Sequence, residues 1–309
     1  MQATIIRIGT RGSPLALVQA HDVRARLMAA HGLTEAQIEI RIIKTTGDLV
    51  LDRPLAEVGG KGLFTKEIEE ALLAREVDLA VHSMKDMQTA LPEGLIVGAT
   101  LPREDVRDAF ISLKYASLGE LPSGAIVGTS SLRRHAQVKH LRPDLEIVPF
   151  RGNVQTRLKK LEDGAADATF LACAGLKRLG LADRITSPVP VENMLPAVAQ
   201  GTIAIEIRRD DTATALLISP LNHEPTQIAA TAERAFLARL EGSCRTPIAG
   251  LAVVDGARLE FRGMLFSPDG RRFLAAETEG PTHRAAALGD EAAADILGRG
   301  AVAMLAGKH

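Results

Sequence analysis

The chain has 309 residues and a net charge of −1, from 37 Lys and Arg against 38 Asp and Glu. This length exceeds what one ordinary core accommodates, so we expect two or three domains. Balanced charge and only 3% aromatic residues argue against nucleic-acid binding, which needs a basic surface and stacking platforms. No window reaches the roughly 18 apolar residues of a membrane helix. Two cysteines in dissimilar contexts do not form a disulfide framework, so we expect a cytoplasmic protein.

Short β-branched runs alternate with amphipathic patterns over the first two thirds of the chain. The predicted strands are Thr4–Ile8, Ile38–Lys44, Asp78–His82, Leu95–Ala99, Ala125–Gly128, Glu146–Pro149, Ala168–Ala172 and Ile203–Ile207. The predicted helices are Pro14–Ala30, Thr65–Ala74, Ser131–Leu141, Val154–Glu162 and Ala174–Leu179. This alternation is typical of βαβ units and predicts an α/β fold with mostly parallel sheets.

The pattern changes after Asp210 and predicts a separate small α+β domain with an antiparallel sheet. Its first helix is followed by a loop that contains Cys244. The predicted elements are a helix at Pro225–Glu241, strands at Ile248–Val254, Arg258–Phe266 and Arg272–Glu277, and a helical segment from about His283 to Leu305.

Two stretches, RIGTRGS at 7–13 and IVGTSS at 126–131, share one pattern: a strand, Gly-Thr, then a serine before a helix. Helix N-termini of this kind present free N–H groups and a positive dipole, which favour anions. One copy alone is more typical of ordinary N-capping. Two copies at the start of two sheets favour paired anion sites that face a cleft.

Arginines recur in the turns that follow predicted strands. Ligands of doubly wound sheets bind at the carboxyl ends of strands, and the arginine fork suits carboxylates and phosphates. A single arginine is more typical of a solvated surface, but five or more at strand ends predict a basic cleft for a polyanion. The arginines are Arg11, Arg133, Arg134, Arg151, Arg157 and Arg178.

The stretch DLAVHSMKDMQ, 78–88, runs from a buried-strand pattern into Lys85 and Asp86. The two charges indicate either a solvated turn or a carboxylate that stabilises positive charge or moves a proton beside cations. His82 points away from Ser83, and we interpret it as structural. The stretch GGKGLFTKE, 59–67, fails the phosphate-loop template and is better explained as a lid.

The two cysteines differ in their surroundings. Cys173 ends an apolar strand and is interpreted as packing. Cys244 lies in the small polar turn LEGSCRTPI, where inert packing, a metal ligand, a nucleophile and a covalent tether all remain open. The eight histidines are scattered and no C-x-x-C motif occurs, so no metal site is expected.

Several of these stretches together resemble the porphobilinogen deaminase family, whose members are also called hydroxymethylbilane synthases. They occur in order between residues 11 and 244, so the resemblance covers essentially the whole chain. The matching segments are RGSPLALVQA, GGKGLFTKE, DLAVHSMKD, GTSSLRR, RGNVQTRL, AGLKRLGL, LPAVAQG and AERAFLARLEGSC.

The resemblance implies two doubly wound α/β domains like those of periplasmic binding proteins, plus a small C-terminal α+β domain with an antiparallel sheet. The expected boundaries are 1–102 with 200–219 for the first domain, 103–199 for the second and 220–309 for the third. It also implies a monomeric transferase of tetrapyrrole (heme) biosynthesis. Such an enzyme joins four porphobilinogen molecules head to tail into linear hydroxymethylbilane, with release of ammonia.

The family's chain grows on a dipyrromethane cofactor held by a thioether, which here implies attachment at Cys244. Asp86 matches the catalytic aspartate. Residues implied to hold the cofactor carboxylates are Ser83, Lys85, Thr129, Ser130, Ser131, Arg133 and Arg134. Residues implied to bind the incoming pyrrole and the growing chain are Arg11, Ser13, Gln19, Arg151, Arg157, Arg178 and Gln200, the last in a hinge-side segment. The lid carries Lys61 and Phe64.

Five positions depart from the family pattern without removing a proposed catalytic group: Glu57, Met87, Gln88, Ala199 and Ser243. Two other functions remain open. A non-enzymatic, two-lobed polyanion-binding protein would explain the arginines but leaves Asp86 and Cys244 without a role. A cysteine-nucleophile transferase would need thiol activation, and no histidine lies near Cys244 in the sequence.

Overall fold

The computed structural model describes residues 5–49, 62–242 and 246–305. The chain divides into two compact units, residues 1–104 with 202–227 and residues 105–201 with 228–309. The finer division into three domains at the boundaries given above stays a prediction. Among the helices of the described residues, none has the length and apolar character that crossing a membrane requires.

The first unit is built on a five-stranded sheet in the order β2-β1-β3-β10-β4. Strands β1, β2 and β3 are parallel, whereas β10 is antiparallel to both of its neighbours, β3 and β4. The strands are β1 (Ile6–Thr10), β2 (Ile38–Ile42), β3 (Leu79–Ser83), β4 (Leu95–Thr100) and β10 (Ile203–Arg208). The helices of this unit are α1 (Pro14–His31), α2 (Thr46–Leu49), α3 (Lys66–Leu73) and α7 (Thr212–Ile218), with single 3₁₀ turns at Glu35–Gln37, Met84–Asp86 and Ser219–Leu221.

Helix α1 begins and ends at residues suited to those positions. Ser13 Oγ accepts a hydrogen bond from the Ala16 N–H at 3.3 Å, and Pro14 occupies the first turn. The helix ends at Gly32, whose φ of 64° is left-handed. The buried positions of α1 recur every three or four residues and pack against the sheet beside Ile8 and Val81.

The second unit contains another five-stranded sheet, in the order β7-β6-β8-β5-β9. Here β6 is parallel to β7 and β8, and β5 is antiparallel to β8 and β9. The strands are β5 (Asp108–Ser112), β6 (Ile126–Gly128), β7 (Glu146–Val148), β8 (Ala168–Ala172) and β9 (Ser187–Pro188). Its helices are α4 (Leu132–Leu141), α5 (Val154–Glu162) and α6 (Cys173–Arg178), with 3₁₀ turns at Leu118–Glu120 and Ala182–Arg184.

The two five-stranded sheets repeat one topology. In each, the first strand of a βαβαβ run lies between the second and third, and an antiparallel strand separates the third from the edge. The prediction of mostly parallel sheets is confirmed, since four of the five strands in each sheet run in one direction and a single strand, β10 or β5, runs against them. Both sheets are mixed, because β10 and β5 join them from outside the βαβ runs.

The second unit also holds a three-stranded antiparallel sheet, β11-β12-β13. The ring of Phe236 packs where Gly263 has no side chain, since a Cβ there would lie 2.4 Å from the ring. The strands are β11 (Ile248–Asp255), β12 (Arg258–Phe266) and β13 (Phe273–Pro281), and the helices are α8 (Glu224–Arg239), α9 (Ala285–Gly298) and α10 (Ala301–Leu305). The predicted α/β fold with a small antiparallel α+β portion is confirmed.

Candidate active site

A small pocket of about 60 Å³ opens in the first unit at the carboxyl ends of β1 and β3, two adjacent parallel strands. This edge is where doubly wound sheets bind ligands. Six residues predicted from the sequence line the pocket: Arg11, Ser13, Gln19, Phe64, Ser83 and Asp86. The remaining lining residues are Leu15, Ala16, Thr65, Val81 and His82.

Gln19 and Ser83 fix one side of the pocket. Gln19 is buried on α1, and its Nε2 donates to Ser83 Oγ at 2.9 Å. The same hydroxyl lies 3.1 Å from Gln19 Oε1. Because Ser83 ends β3, this pair ties the first helix to the strand end that precedes Asp86.

Phe64 and Arg11 form the opposite side. The Arg11 guanidinium carbon lies 4.2 Å from the centroid of the Phe64 ring, a cation–π geometry. Gly47 makes room for the ring, since a Cβ there would lie 2.4 Å from two of its carbons. The Gly47 N–H also donates to Leu63 O at 2.7 Å. Lys61, the other predicted lid residue, lies outside the described residues.

Asp86 closes the 3₁₀ turn after β3 and is exposed at the pocket. The turn is anchored, because Met84 is buried and its N–H donates to Thr202 O at 3.0 Å. Met87 is also buried, and its N–H donates to Met84 O at 3.1 Å. Lys85 lies half-buried in this turn beside Asp86. A carboxylate is thus presented to the pocket from a turn fixed at both ends.

Beneath the pocket lies a group of buried ionisable side chains that the sequence interpretation missed in part. His82 Nε2 is 3.0 Å from Glu206 Oε2 on β10, and both side chains are buried. Burial raises the pKa of Glu69 on α3; the nearby Glu206 acts in the same direction, against Thr65 and His82. The sequence feature that could have indicated a buried Glu206 is an acidic residue within the apolar run IAIEI.

Arg133 and Arg134 share one carboxylate, that of Asp108, in the second unit. Arg133 Nη1 donates to Asp108 Oδ2 at 2.7 Å, and Arg134 Nη2 donates to Oδ1 at 2.7 Å. All three side chains are buried. Burial by itself would raise the pKa of Asp108, but the two guanidinium groups outweigh it and hold the pKa well below its usual range.

Three hydroxyls precede α4, and each bonds to the local backbone. Ser131 Oγ accepts from the Arg134 N–H at 3.4 Å, which caps the helix. Ser130 Oγ accepts from the Phe150 N–H at 2.9 Å. Thr129 Oγ1 accepts from the Ser131 N–H at 3.2 Å. The repeated strand–Gly-Thr–Ser pattern therefore builds a capped helix start in both units.

The other predicted ligand residues of the second unit have separate surroundings. Gln200 joins the arginine cluster, with its Nε2 3.0 Å from Asp108 Oδ1. Arg157 Nε donates to Gly152 O at 2.9 Å, and Arg178 Nη2 donates to Gly201 O at 2.6 Å. Arg151 follows β7 and is half-buried. The structure thus groups Gln200 with Arg133 and Arg134 and leaves the other three arginines outside that cluster.

Cys173 is the cysteine within the described residues, and Cys244 lies outside them. Cys173 is fully buried against Leu171 and Leu176, so its interpretation as packing is confirmed. Burial, with Asp105 as the next contribution, raises the pKa of its thiol to about 11. Over 5–49, 62–242 and 246–305, no three His, Cys, Asp or Glu side chains are arranged to hold a metal ion.

Two family profiles match the chain. The profile described as "Porphobilinogen deaminase, dipyromethane cofactor binding domain" covers residues 6–216, and "Porphobilinogen deaminase, C-terminal domain" covers residues 227–298. A porphobilinogen deaminase of Paracoccus denitrificans is 61% identical over 95% of this chain and 94% of its own length. One from Nitrobacter winogradskyi is 56% identical over 94% of this chain and 92% of its own.

The solved structures that match the chain are much more distant in sequence. A putative methionine-binding lipoprotein of Bacillus subtilis has a TM-score of 0.45 at 14% identity, covering 71% of this chain and 90% of its own. A periplasmic substrate-binding protein of an ABC transporter from Coxiella burnetii has a TM-score of 0.44 at 16% identity, covering 74% and 97%.

Proposed function

The chain belongs to the porphobilinogen deaminase family, and from this premise we propose that it joins four porphobilinogen molecules head to tail into linear hydroxymethylbilane, releasing ammonia. The observation that carries the proposal is a pocket that is lined by both an exposed carboxylate, Asp86, and a cation, Arg11. We further propose that the enzyme is a cytoplasmic, monomeric transferase of heme biosynthesis.

The position of Asp86 in the pocket supports a role for this residue in the deamination step. Porphobilinogen loses its aminomethyl nitrogen as ammonia, and positive charge develops on the pyrrole fragment that remains. A carboxylate held in place before the reaction stabilises such charge without reorganising at the moment of reaction. The turn that carries Asp86 is fixed through Met84 and Met87, so the carboxylate is positioned in advance.

Arg11 suits the acetate and propionate groups of the substrate. Its guanidinium lies against the Phe64 ring, which removes water from one face and strengthens the attraction for a carboxylate. Ser13 and Gln19 line the same pocket and supply neutral hydrogen-bonding groups. We assign the growing chain to Arg151, Arg157, Arg178 and Gln200, and the lid to Lys61 and Phe64.

The arginine cluster fits a cofactor that bears carboxylates. Two guanidinium groups share the single carboxylate of Asp108, so one positive charge is in excess there. Arg133 Nε is buried and has no hydrogen-bond partner among the described residues. When bound, a dipyrromethane supplies a pyrrole carbon for attack on the first substrate. We propose that Cys244 holds it by a thioether and that its carboxylates bind Ser83, Lys85, Thr129, Ser130, Ser131, Arg133 and Arg134.

Two measurements test this function. Purified chain supplied with porphobilinogen should release four ammonia molecules for each hydroxymethylbilane formed. Its intact mass should exceed that of the sequence by two linked pyrrole units, and Cys244→Ser should lack the extra mass while Cys173→Ser keeps it. A mass that equals the bare sequence after incubation with porphobilinogen would refute the tether. Binding of porphobilinogen without ammonia release would support the polyanion-binding alternative instead.

A further inference from the structure

Three buried ionisable side chains, His82, Glu206 and Glu69, lie together behind the pocket. His82 and Glu206 are on the adjacent antiparallel strands β3 and β10, where Glu206 pairs with Ala80. His82 and Glu206 therefore point to the same face of the sheet. Helix α3 packs on that face through Ile68, beside Ala80, and contributes Glu69.

In this group one pair of side chains is in direct contact, and two carboxylate oxygens have no hydrogen-bond partner among the described residues. His82 Nε2 lies 3.0 Å from Glu206 Oε2. Oε1 of Glu206 and Oε1 of Glu69 are both buried, with no hydrogen-bond partner in the part of the chain that the structure describes. Glu206 is 0% and Glu69 3% exposed. Two buried carboxylates so placed are costly while both are ionised, because Thr65 and His82 offset the desolvation of Glu69 and its repulsion from Glu206 only in part.

The neighbouring charged groups are engaged elsewhere. Arg208 lies two residues beyond Glu206 on the same face, but its Nη1 donates to Leu72 O and Val77 O, and its Nη2 contacts Asp211. Glu67 on α3 accepts hydrogen bonds from Thr46. Among the described residues, His82 is the ionisable group in direct contact with Glu206, and it also lines the pocket.

We propose that His82, Glu206 and Glu69 form a buried proton network that holds one proton shared between the two carboxylates and takes up a second through His82 during each condensation. This proposal rests on the proposed function. With one shared proton the network carries a net charge of −1. Uptake of a second makes it an imidazolium, a carboxylate and a carboxylic acid, so the buried charges cancel.

The step balances without any oxidant or reductant. In each condensation the substrate's C–N bond breaks, and its electron pair leaves with ammonia. A C–C bond forms to the α-carbon of the attacking pyrrole. The C–H bond at that carbon then breaks, its electron pair returns to the ring, and the proton passes to His82. The network returns the proton to ammonia or water before the next substrate binds. Glu206 and Glu69 act through His82 and are positioning residues.

The shared proton is testable without substrate or cofactor chemistry. In ¹³C-glutamate-labelled Cys244→Ser protein, the Glu69 carboxyl signal should titrate above the ordinary carboxylate range, and Glu206→Gln should move that titration down. The matched control is Glu70→Gln, which removes an exposed carboxylate from the same helix and should leave the Glu69 titration unchanged. A Glu69 titration in the ordinary range that ignores Glu206→Gln would overturn the network.

The proposed proton uptake during catalysis is tested by measuring the rate of ammonia release as a function of pH, in H₂O and in D₂O. Glu206→Gln should lower the rate roughly 100-fold or more, change the shape of the pH profile and raise the solvent isotope effect. Circular dichroism confirms that the variant is folded, and Glu70→Gln should match the parent. If the rate fell by the same factor at every pH and the solvent isotope effect stayed unchanged, proton uptake by the network would be rejected. Absence of ammonia release from the unchanged chain would refute the proposed function, and the ligand-free titration would still decide the shared proton.

Discussion

The guanidinium of Arg11 stacks on the ring of Phe64, with 4.2 Å between its central carbon and the ring centroid. Arg11 follows the first strand, whereas Phe64 precedes α3, so the contact joins two separate segments of the first unit across the pocket. If Arg11 binds a substrate carboxylate as proposed, Phe64 contributes to that binding surface as well as to the proposed lid.

Replacing Phe64 tests that role. Phe64→Leu removes the ring face and should raise the KM for porphobilinogen about twofold to fivefold, since a cation–π contact at an exposed site contributes about 0.5–1 kcal/mol. Phe64→Tyr keeps the ring and should behave like the parent. The measurement is steady-state ammonia release. A KM equal to the parent's in Phe64→Leu would contradict the stacking role.

Asp86→Asn should preserve the fold and nearly abolish ammonia release, because the amide keeps the shape of the side chain but loses the negative charge that stabilises the cation. A fall in kcat of about 10²–10³-fold is typical when one preorganised electrostatic group is removed. Asp86→Glu retains the charge and should recover part of the activity. Turnover that is unchanged in Asp86→Asn would eliminate this role.

Asp108→Asn should destabilise the second unit strongly. Removing one partner of a buried ion pair typically costs about 3–5 kcal/mol, and here two arginines lose their shared carboxylate. Asp144→Asn, in an exposed pair with Arg142, is the control and should leave the urea midpoint nearly unchanged. Similar midpoints for the two variants would show that the cluster contributes little to stability.

The contribution of Asp108 to the free energy of unfolding depends on pH. Its folded-state pKa is lowered, so its contribution to stability is fully present above the unfolded value of about 3.9 and is lost as pH falls through the lowered folded pKa. The difference in unfolding free energy between the parent and Asp108→Asn should therefore be constant from pH 7 to 5 and shrink below pH 4. Urea unfolding at three pH values measures it.

Two glutamates on α3 should respond to pH with opposite signs. The pKa of Glu69 is raised by burial, so stability falls as pH rises above the unfolded carboxyl value, and Glu69→Gln should gain stability over the parent at high pH. Partial burial acts to raise the pKa of Glu67, but hydrogen bonds from Thr46 outweigh it and lower that pKa. Glu67→Gln should therefore lose stability near neutral pH and approach the parent in acid. Thermal melts between pH 4 and 9 distinguish the two; parallel curves would contradict both.

The number of reactive thiols tests the proposed thioether at Cys244 independently of the mass measurement. Cys173 is buried, with its pKa raised to about 11, so it should not react with a thiol reagent in the native chain at pH 8. After unfolding in guanidinium, one reactive thiol per chain is expected if Cys244 carries a thioether. Two reactive thiols would contradict attachment.

Most of the pocket residues could be predicted from the sequence, because their positions depend on local patterns of strands and turns. Arg11, Ser13 and Asp86 follow strands, and parallel strands place such turns at one edge of the sheet. The predicted strands do not include β5, because this short strand starts at Asp108, at the end of the charged stretch REDVRD at 103–108. Without β5, the counter-ion of Arg133 and Arg134 could not be predicted. Glu69 and Glu206 were missed for another reason. The contact of Glu206 with His82 depends on which strand lies beside β3, and that strand comes from far along the chain.

The position of β10 far along the chain affects how the first sheet folds during synthesis. Strand β10 lies between β3 and β4 in the first sheet, yet about a hundred residues separate it from the end of β4. At about 5–20 residues per second, a nascent chain spends roughly 5–20 s with β3 and β4 emerged and the strand between them not yet made. Throughout this interval the hydrogen-bonding groups of both strands face an empty position, where another strand edge can pair. The first sheet can therefore complete its native pairing only after β10 has been synthesised.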